Sequence, residues 1–191
     1  CHLVRGPAAA LGFALAASCA WAHTPTTPAQ AGTPAPAEND QLASAAMAAF
    51  DAGNFQESYD KLDQLLAKDE IKNAKDPKIL QALEAVFYVR AASLYNLSRY
   101  EEAIKAFAAY LATFRQGSRR DDAIYSMASS YIALKKFDEA VVELTKLEQV
   151  PEFREEALLF KAGIYYDKKD FKSALQPLLL LTEKGLTTPS A

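Results

Sequence analysis

The segment Lys135-Lys136-Phe137-Asp138-Glu139-Ala140 joins a polar turn, an aromatic residue, two acidic residues and a small residue. Nearly the same order of residue types recurs in segments 53–58, 98–103 and 169–174. A segment repeated in this way indicates a repeat protein, in which each repeat is one supersecondary unit that packs on its neighbours. We call the residues that close the four segments the signature small residues; they stand at spacings of 45, 37 and 34 residues and are Ser58, Ala103, Ala140 and Ala174.

Other positions keep register with the signature small residues. Twelve residues before each of them stands an alanine, at Ala46, Ala91, Ala128 and Ala162. Four and seven residues after them stand large apolar residues, at Leu62, Phe107, Leu144 and Leu178 and at Leu65, Tyr110, Leu147 and Leu181. Small residues let two helices approach closely, and large residues fill the space between them. The pattern therefore predicts two packed helices in each repeat.

This pattern resembles the tetratricopeptide repeat, a helix–turn–helix unit with a period of about 34 residues. The resemblance covers about residues 39–184, although the family's tryptophan is missing and alanine stands at the glycine position of its first helix. It implies an all-α solenoid of about four repeats. We assign residues 41–186 to this solenoid and residues 187–191 to a tail.

Local signals indicate where several helices begin and where the repeats are interrupted. Asp76 followed by Pro77 is typical of a helix N-cap and the first helical position. Ser118 opens a Ser-Arg-Arg-Asp sequence with the spacing of a capping box, and Pro151 is suited to begin the first helix of repeat four. The long 45-residue spacing predicts a polar loop around residues 68–75.

The residue types that most often carry catalytic or metal chemistry are confined to the N-terminus. Both cysteines, both histidines and the single tryptophan lie within the first 23 residues. The body of the chain therefore has no means to form a disulfide, a thiolate or histidine metal site, or a Ser–His–Asp group. The formal net charge of -3 lacks the basic excess typical of nucleic-acid binding. We expect no catalytic residue, no cofactor, no metal site and no nucleic-acid partner.

The first 22 residues have the features of a secretory signal peptide. Arg5 precedes an apolar run over residues 8–17, and the segment 20–22, Ala-Trp-Ala, provides a small-x-small cleavage site. A second interpretation stays open, because residues 15–19 loosely resemble a bacterial lipobox that directs lipidation of Cys19. Both interpretations predict an exported protein, which is periplasmic after simple cleavage or a membrane-anchored lipoprotein through Cys19.

Residues 23–40 are expected to form a disordered linker, partly in polyproline II conformation. They contain four prolines, four threonines and no large apolar residue, so they lack the side chains needed to bury a core. The linker serves as a tether if Cys19 is lipidated and as a plain mature N-terminus otherwise. Because residue 1 is cysteine rather than methionine, we also expect the printed sequence to begin inside a longer one.

The resemblance to tetratricopeptide proteins places the first helix of each repeat on a concave binding face. Tyrosines there offer a large apolar surface and a hydroxyl group, which suits them to binding hot spots. The alternative is that several of these side chains are packed core. A clamp for a C-terminal carboxylate is not expected, because only Asn96 is of a residue type that such a clamp uses. With Met47 nearby, the candidate partner-binding residues are Phe50, Tyr88, Tyr95, Asn96, Tyr125, Ser129, Ile132, Leu159 and Tyr166.

Residues 103–136 are similar to periplasmic tetratricopeptide proteins, a group that includes outer-membrane assembly lipoproteins and proteins associated with the Tol–Pal system. The likeness lies in the 37-residue spacing and in the run over residues 114–123. It implies a non-catalytic scaffold of the cell envelope that binds a partner protein or peptide through the concave surface. The alternative is the N-terminal interaction region of a larger exported protein, such as an enzyme, that continues past residue 191.

The last predicted helix, residues 171–184, is unusually apolar. It contains four successive leucines at 178–181, of which the first and last match the inward positions of earlier repeats. Pro177 is expected to kink or strain the helix. Leu179 and Leu180 are left over, so we expect a capping helix, a further repeat or self-association with a second subunit to cover them. The alternative is that the kink turns these two leucines inward.

Overall fold

The structure is a computed structural model that describes the backbone of residues 36–185 and the side chains of residues 38–182. This part of the chain is helical and contains no strand, which confirms the predicted all-α fold. Within it, no helix combines the length and the apolar character needed to cross a membrane. The helices are α1 (Pro36–Asp51), α2 (Phe55–Ala67), α3 (Asp69–Lys72), α4 (Pro77–Asn96), α5 (Tyr100–Thr113), α6 (Arg120–Ala133), α7 (Phe137–Leu147), α8 (Pro151–Asp167) and α9 (Phe171–Gly185).

Four helix pairs form the repeats. Helix α1 packs on α2, α4 on α5, α6 on α7 and α8 on α9, and a turn of three residues joins each pair. Such short turns make the two helices of a pair antiparallel. Successive repeats contact each other through α2 and α4, α5 and α6, and α7 and α8. Each repeat therefore packs on its neighbours, as in a helical solenoid of the tetratricopeptide type.

One backbone conformation makes the turn inside every repeat. In repeat two, the backbone N–H of Ser98 donates to the carbonyl of Tyr95 at 2.9 Å. The next N–H, of Arg99, donates to the carbonyl of Leu94 at 2.9 Å. This pair of hydrogen bonds satisfies the last carbonyls of the helix and requires one residue with a left-handed backbone conformation, that is, a positive φ. That residue is glycine in only one of the four repeats. The residues with this conformation are Gly53 (φ 78°), Ser98 (φ 59°), Lys135 (φ 57°) and Lys169 (φ 60°).

The core forms where the predicted small and large residues meet. All four signature small residues are buried, and so are the alanines twelve residues before them. The large residues four and seven positions after them are also buried in repeats one to three. Each small residue lies against a neighbouring helix. Because its side chain is short, the two helices approach closely at that point. The predicted packing register is confirmed in these three repeats.

Helix α9 departs from the predicted register. Leu178 is 41% exposed, although its equivalents in the first three repeats, Leu62, Phe107 and Leu144, are 0% exposed. The expectation that Leu178 faces inward is wrong, because among the described residues no later helix packs on α9. Pro177 is buried, and the helix continues through it to Gly185. Leu179 and Leu180 are exposed, so the alternative that they turn inward is also wrong.

Two of the three predicted helix starts are confirmed. Oδ1 of Asp76 accepts a hydrogen bond from the Lys78 backbone N–H at 2.8 Å, and Pro151 is the first residue of α8. The capping box at Ser118 does not form. Helix α6 begins two residues later, and the Ser118 side chain donates instead to Glu84 on α4. A tertiary hydrogen bond therefore replaces the predicted local one.

The N-terminal boundary of the solenoid also shifts. Helix α1 begins at Pro36, so residues 36–40 are helical rather than part of the predicted linker. Asn39 anchors this first turn, since its amide donates to Glu70 at 2.6 Å and its carbonyl oxygen accepts from Lys68 at 2.7 Å. Glu70 belongs to α3, a short helix in the region predicted as a polar loop.

The assignments at the two ends of the chain are not tested by this structure. The predicted signal peptide, residues 1–22, lies outside the described residues, as does the linker up to residue 35. The predicted tail, residues 187–191, lies outside them too. These assignments stay predictions.

Candidate protein-binding surface

Four of the candidate binding residues occupy the same repeat position, eight residues before a signature small residue. Each stands at the end of the first helix and lies next to the aromatic residue that begins the second helix. Edge-to-face contacts of this kind stabilise the turn in addition to burying apolar area. The pairs and their ring-centroid distances are Phe50–Phe55 (5.3 Å), Tyr95–Tyr100 (5.8 Å) and Tyr166–Phe171 (5.5 Å), while Ile132 and Phe137 pack against one shared core cluster.

Tyr88 lies mainly inside the repeat. Its ring contacts the rings of Phe107 and Tyr110, with centroids 6.0 and 5.8 Å away, and the guanidinium carbon of Arg119 lies 5.7 Å from the ring centroid. Burial, aided by the nearby charge of Asp122, raises the pKa of Tyr88 to about 12. This environment is that of a packing residue, the alternative considered from the sequence.

Tyr125 lies at the junction of repeats three and four. Its ring centroid lies 5.7 Å from that of Phe153 and 5.9 Å from that of Phe160, both on α8. Burial raises the pKa of Tyr125 to about 12, and the negative charge of Glu156 contributes. Tyr125 is half-buried, so only part of its ring faces solvent.

The polar candidates have partners within the repeats. Asn96 is exposed, but its amide donates to the carbonyl of Ala92 at 2.8 Å, one turn earlier in α4. Ser129 is half-buried beside Tyr95. Burial raises the pKa of Tyr95, and the hydroxyl of Ser129 opposes that rise. The structure thus brings Tyr95 and Ser129 together across adjacent repeats.

Repeat four presents the most exposed apolar surface among the candidates. Leu159 is 50% exposed and Tyr166 is 65% exposed. Their spacing places both on one side of α8, with Gly163 between them and Phe160 beside Leu159. A Cβ atom added to Gly163 would meet no heavy atom within 4 Å, so the helix backbone is open there. We call Leu159, Phe160, Gly163 and Tyr166 the α8 face.

Sequence reasoning missed two members of the α8 face, Phe160 and Gly163. Gly163 stands at the same repeat position as Ser129, eleven residues before the signature small residue. That equivalence was the signal available in the sequence. Phe160 carried no such signal, because its exposure depends on how α8 packs against Tyr125.

Acidic residues flank the α8 face at both ends. Glu156 precedes Leu159 by three residues, and Asp167 follows Tyr166; both are exposed. Two lysines of this region point to repeat three, because Lys161 pairs with Glu148 and Lys168 pairs with Asp138 at 2.5 Å. A third, Lys169, is exposed in the turn after Asp167. The α8 face is therefore apolar at its centre, negative at the end that holds Glu156 and mixed in charge at the end that holds Asp167.

The described residues offer no group suited to a metal ion. Between residues 38 and 182, no three His, Cys, Asp or Glu side chains lie close enough together to hold one. All His and Cys residues of the chain lie before residue 24, outside the described part.

No family model matches the chain, and no curated protein matches it significantly. Solved structures do match. Residues 41 to the end of MamA from Desulfovibrio magneticus RS-1 superpose with a TM-score of 0.61 at 16% identity, over 80% of this chain and 78% of that one. A second structure of MamA has a TM-score of 0.56 at 17% identity, over 78% of this chain and 82% of that one.

A third neighbour contains the nearly identical TPR-like repeats of a proposed kinesin light chain from Podosopora anserina. It superposes with a TM-score of 0.59 at 18% identity, over 83% of this chain and 80% of that one. Identities this low show a shared fold and carry no information on partners. With the repeat geometry described above, they establish that residues 36–185 form a helical solenoid of the tetratricopeptide type.

Proposed function

We propose that this chain is a non-catalytic scaffold that binds a partner protein or peptide along the first helices of its repeats. The α8 face carries the proposal, because Leu159 and Tyr166 are large apolar residues that are exposed to solvent. The residues at the same two positions in the other repeats are half-buried. Exposed apolar surface with a polar rim is typical of interaction sites on soluble proteins. The solenoid neighbours support an interaction role at the level of fold alone.

The absence of a catalytic function is part of the proposal. From Thr24 onward the chain contains no histidine and no cysteine, so it lacks the usual nucleophile–base pairs. Neighbouring acids such as Asp121 and Asp122 point about 100° apart on a helix and are not placed as an acid–base pair. Binding needs none of these groups.

The charges around the α8 face favour a particular kind of partner segment. Glu156 and Asp167 would attract basic side chains, while Leu159 and Tyr166 would bury an aliphatic or aromatic side chain. The open backbone at Gly163 leaves space for that side chain between them. We infer a partner segment that carries apolar residues flanked by lysine or arginine.

The test is capture of a partner from a cell-envelope extract, followed by identification through mass spectrometry. We expect a protein retained by the chain to be lost when Leu159→Ser and Tyr166→Ala are combined. Val142→Ser is the matched control, because Val142 is 57% exposed on α7. Capture that survives the double change, or that is lost equally in the control, would contradict the site assignment.

We also propose that the protein is exported and acts in the cell envelope. Support comes from the signal-peptide pattern of residues 1–22 and from the likeness of residues 103–136 to periplasmic tetratricopeptide proteins. A membrane-anchored form through Cys19 remains the alternative within this proposal.

A further inference from the structure

Helix α9 exposes large apolar side chains on the side where the second helices of earlier repeats meet the following repeat. Leu175 is 57% exposed, Leu178 is 41% exposed and Leu179 is 54% exposed. We call these three leucines the α9 face. The equivalents of Leu178 are fully buried in repeats one to three, because the first helix of the following repeat lies over them.

The contacts between successive repeats define what covers such a face. Arg90 on α4 reaches back to Asp63 on α2 at 2.5 Å, and Lys161 on α8 reaches back to Glu148 beside α7. Arg90 and Lys161 occupy one repeat position, thirteen residues before the signature small residue. That position therefore faces the preceding repeat in this fold.

Helix α1 exposes the corresponding face at the other end of the described solenoid. The residue at the position of Arg90 and Lys161 is Ala45, and one turn later stands Ala48; both are exposed. In repeats two to four, the equivalents of Ala48 are buried against the preceding repeat; they are Ser93, Ser130 and Ile164. At these two positions the outer side of α1 is small and apolar, whereas Gln41, at the position of the buried Val86, Ala123 and Ala157, is exposed and polar.

The two ends are complementary in size. Asp63 pairs with Arg90 inside the solenoid, and Leu179 occupies the position of Asp63 in repeat four. The end positions that correspond to this ion pair therefore hold Leu179 on α9 and Ala45 on α1. A large apolar residue against a small one is the combination that packs helices closely throughout this core.

The two ends are complementary in charge as well. Between repeats three and four, Lys168 near the end of a first helix pairs with Asp138 in the first turn of the preceding second helix at 2.5 Å. In repeat four the position of Asp138 holds Lys172. In repeat one the position of Lys168 holds Ala52, and Asp51 precedes it directly. The charges are exchanged, but their signs remain opposite.

We propose that a second copy of this chain covers the α9 face by packing its α1 there. The contact continues the repeat-to-repeat packing from one molecule into the next, with Ala45 and Ala48 against the leucines of the α9 face. Because the two surfaces differ, the association is head-to-tail and leaves one free end on each side. The number of molecules in each assembly then rises with protein concentration, whether or not the α8 face binds a partner.

Sedimentation velocity of the full chain over increasing concentration tests this proposal. The wild type is expected to form a series of species larger than the monomer. Ala48→Glu blocks the α1 end, and Leu175→Glu with Leu179→Glu blocks the α9 end, so each variant alone is expected to stay monomeric. An equimolar mixture of the two variants keeps one intact end of each kind and is expected to give a dimer and nothing larger.

Other results overturn the proposal. A wild type that stays monomeric at every concentration contradicts it. An Ala48→Glu variant that assembles like the wild type also contradicts it, because such assembly would indicate that α9 faces pair with each other. Val142→Glu is the matched control and should assemble normally. Circular dichroism checks that each variant is folded, and Leu175→Gln with Leu179→Gln replaces the glutamate variant if that one unfolds.

Discussion

The Tyr110 hydroxyl donates a hydrogen bond of 2.9 Å to Oε1 of Glu84, which joins the two helices of repeat two. The same carboxylate oxygen accepts from the backbone N–H of Ser118 at 2.6 Å and from the Ser118 hydroxyl at 2.9 Å. The backbone N–H of Arg119 in turn donates to the Tyr110 hydroxyl oxygen at 3.2 Å. This cluster fixes the connection between repeats two and three, where the spacing is 37 rather than 34 residues.

Replacing Glu84 by glutamine should lower the free energy of unfolding at pH 7 by about 1 kcal/mol, because the acceptor loses its charge. Burial acts to raise the pKa of Glu84, but the hydrogen bonds from Ser118 and Tyr110 together outweigh it and hold the pKa below its ordinary value of 4.5. A lowered pKa in the folded state stabilises the protein above that ordinary value, and the effect is lost as the pH falls through the lowered pKa. Urea unfolding at several pH values should therefore show the difference shrinking below pH 4.5.

The control for this measurement is Glu101→Gln, since Glu101 is exposed in the first turn of α5. It should change stability little at any pH. A difference between wild type and Glu84→Gln that stays constant down to the most acidic pH would show that the carboxylate charge has no role.

Replacing Gly117 by alanine should destabilise the protein by about 1–3 kcal/mol, the usual cost of overpacking. An added Cβ atom would lie 2.6 Å from the Tyr110 hydroxyl oxygen and 3.0 Å from Oε1 of Glu84. Tyr110 is fully buried and has no room to move away. Gly163→Ala is the contrasting control, because it lies inside a helix with open space around it and should stabilise α8 by up to about 1 kcal/mol. Thermal unfolding of both variants gives the comparison, and equal effects of the same sign would contradict it.

Replacing Lys135 by glycine should stabilise the protein by about 0.5–1 kcal/mol, because a side chain at φ 57° is strained and glycine is not. For a domain of this size, that gain corresponds to a rise in melting temperature of a few degrees, about 2–4 °C per kcal/mol. Lys136→Gly is the matched control, because Lys136, the residue next to Lys135, has φ -84° and gains nothing from glycine. A control variant that is stabilised as much as Lys135→Gly would mean that strain is not the cause.

Replacing Tyr88 by alanine should lower the free energy of unfolding by about 2–4 kcal/mol, as expected for a large side chain packed among others. Leu159→Ala, at an exposed position of α8, should change it by less than about 0.5 kcal/mol. Chemical denaturation followed by far-ultraviolet circular dichroism separates the two. If Tyr88→Ala proves as mild as Leu159→Ala, the assignment of Tyr88 to the core is wrong and its role as a binding residue gains support.

Expression in a bacterial host should yield a mature protein that begins at His23, as simple cleavage after Ala22 predicts. N-terminal sequencing of the purified protein checks this directly. A blocked N-terminus with incorporation of labelled fatty acid, abolished by Cys19→Ser, would favour the lipoprotein instead. A protein that keeps residues 1–22 would contradict both interpretations.

The sequence by itself determined the number of repeats, the pairing of helices and, in repeats one to three, the packing register. These features depend on spacing along the chain: Ala103 and Ala140 stand at one repeat position, and so do Leu62 and Leu144. A helix with a regular apolar side and a short turn has few ways to pack, so a pattern repeated four times predicts the fold. The turn at Lys135 was predicted from the same pattern, but its left-handed backbone was not.

Only the tertiary structure decided which first-helix side chains are exposed. Tyr88 and Leu159 occupy the same repeat position, yet Tyr88 packs against Phe107 and Tyr110 while Leu159 is 50% exposed. Likewise, Ser118 matches a local capping pattern but bonds to Glu84, a residue 34 positions away. Burial and hydrogen-bond choice depend on what lies across the gap between repeats, and that neighbour is set by packing rather than by spacing within one repeat.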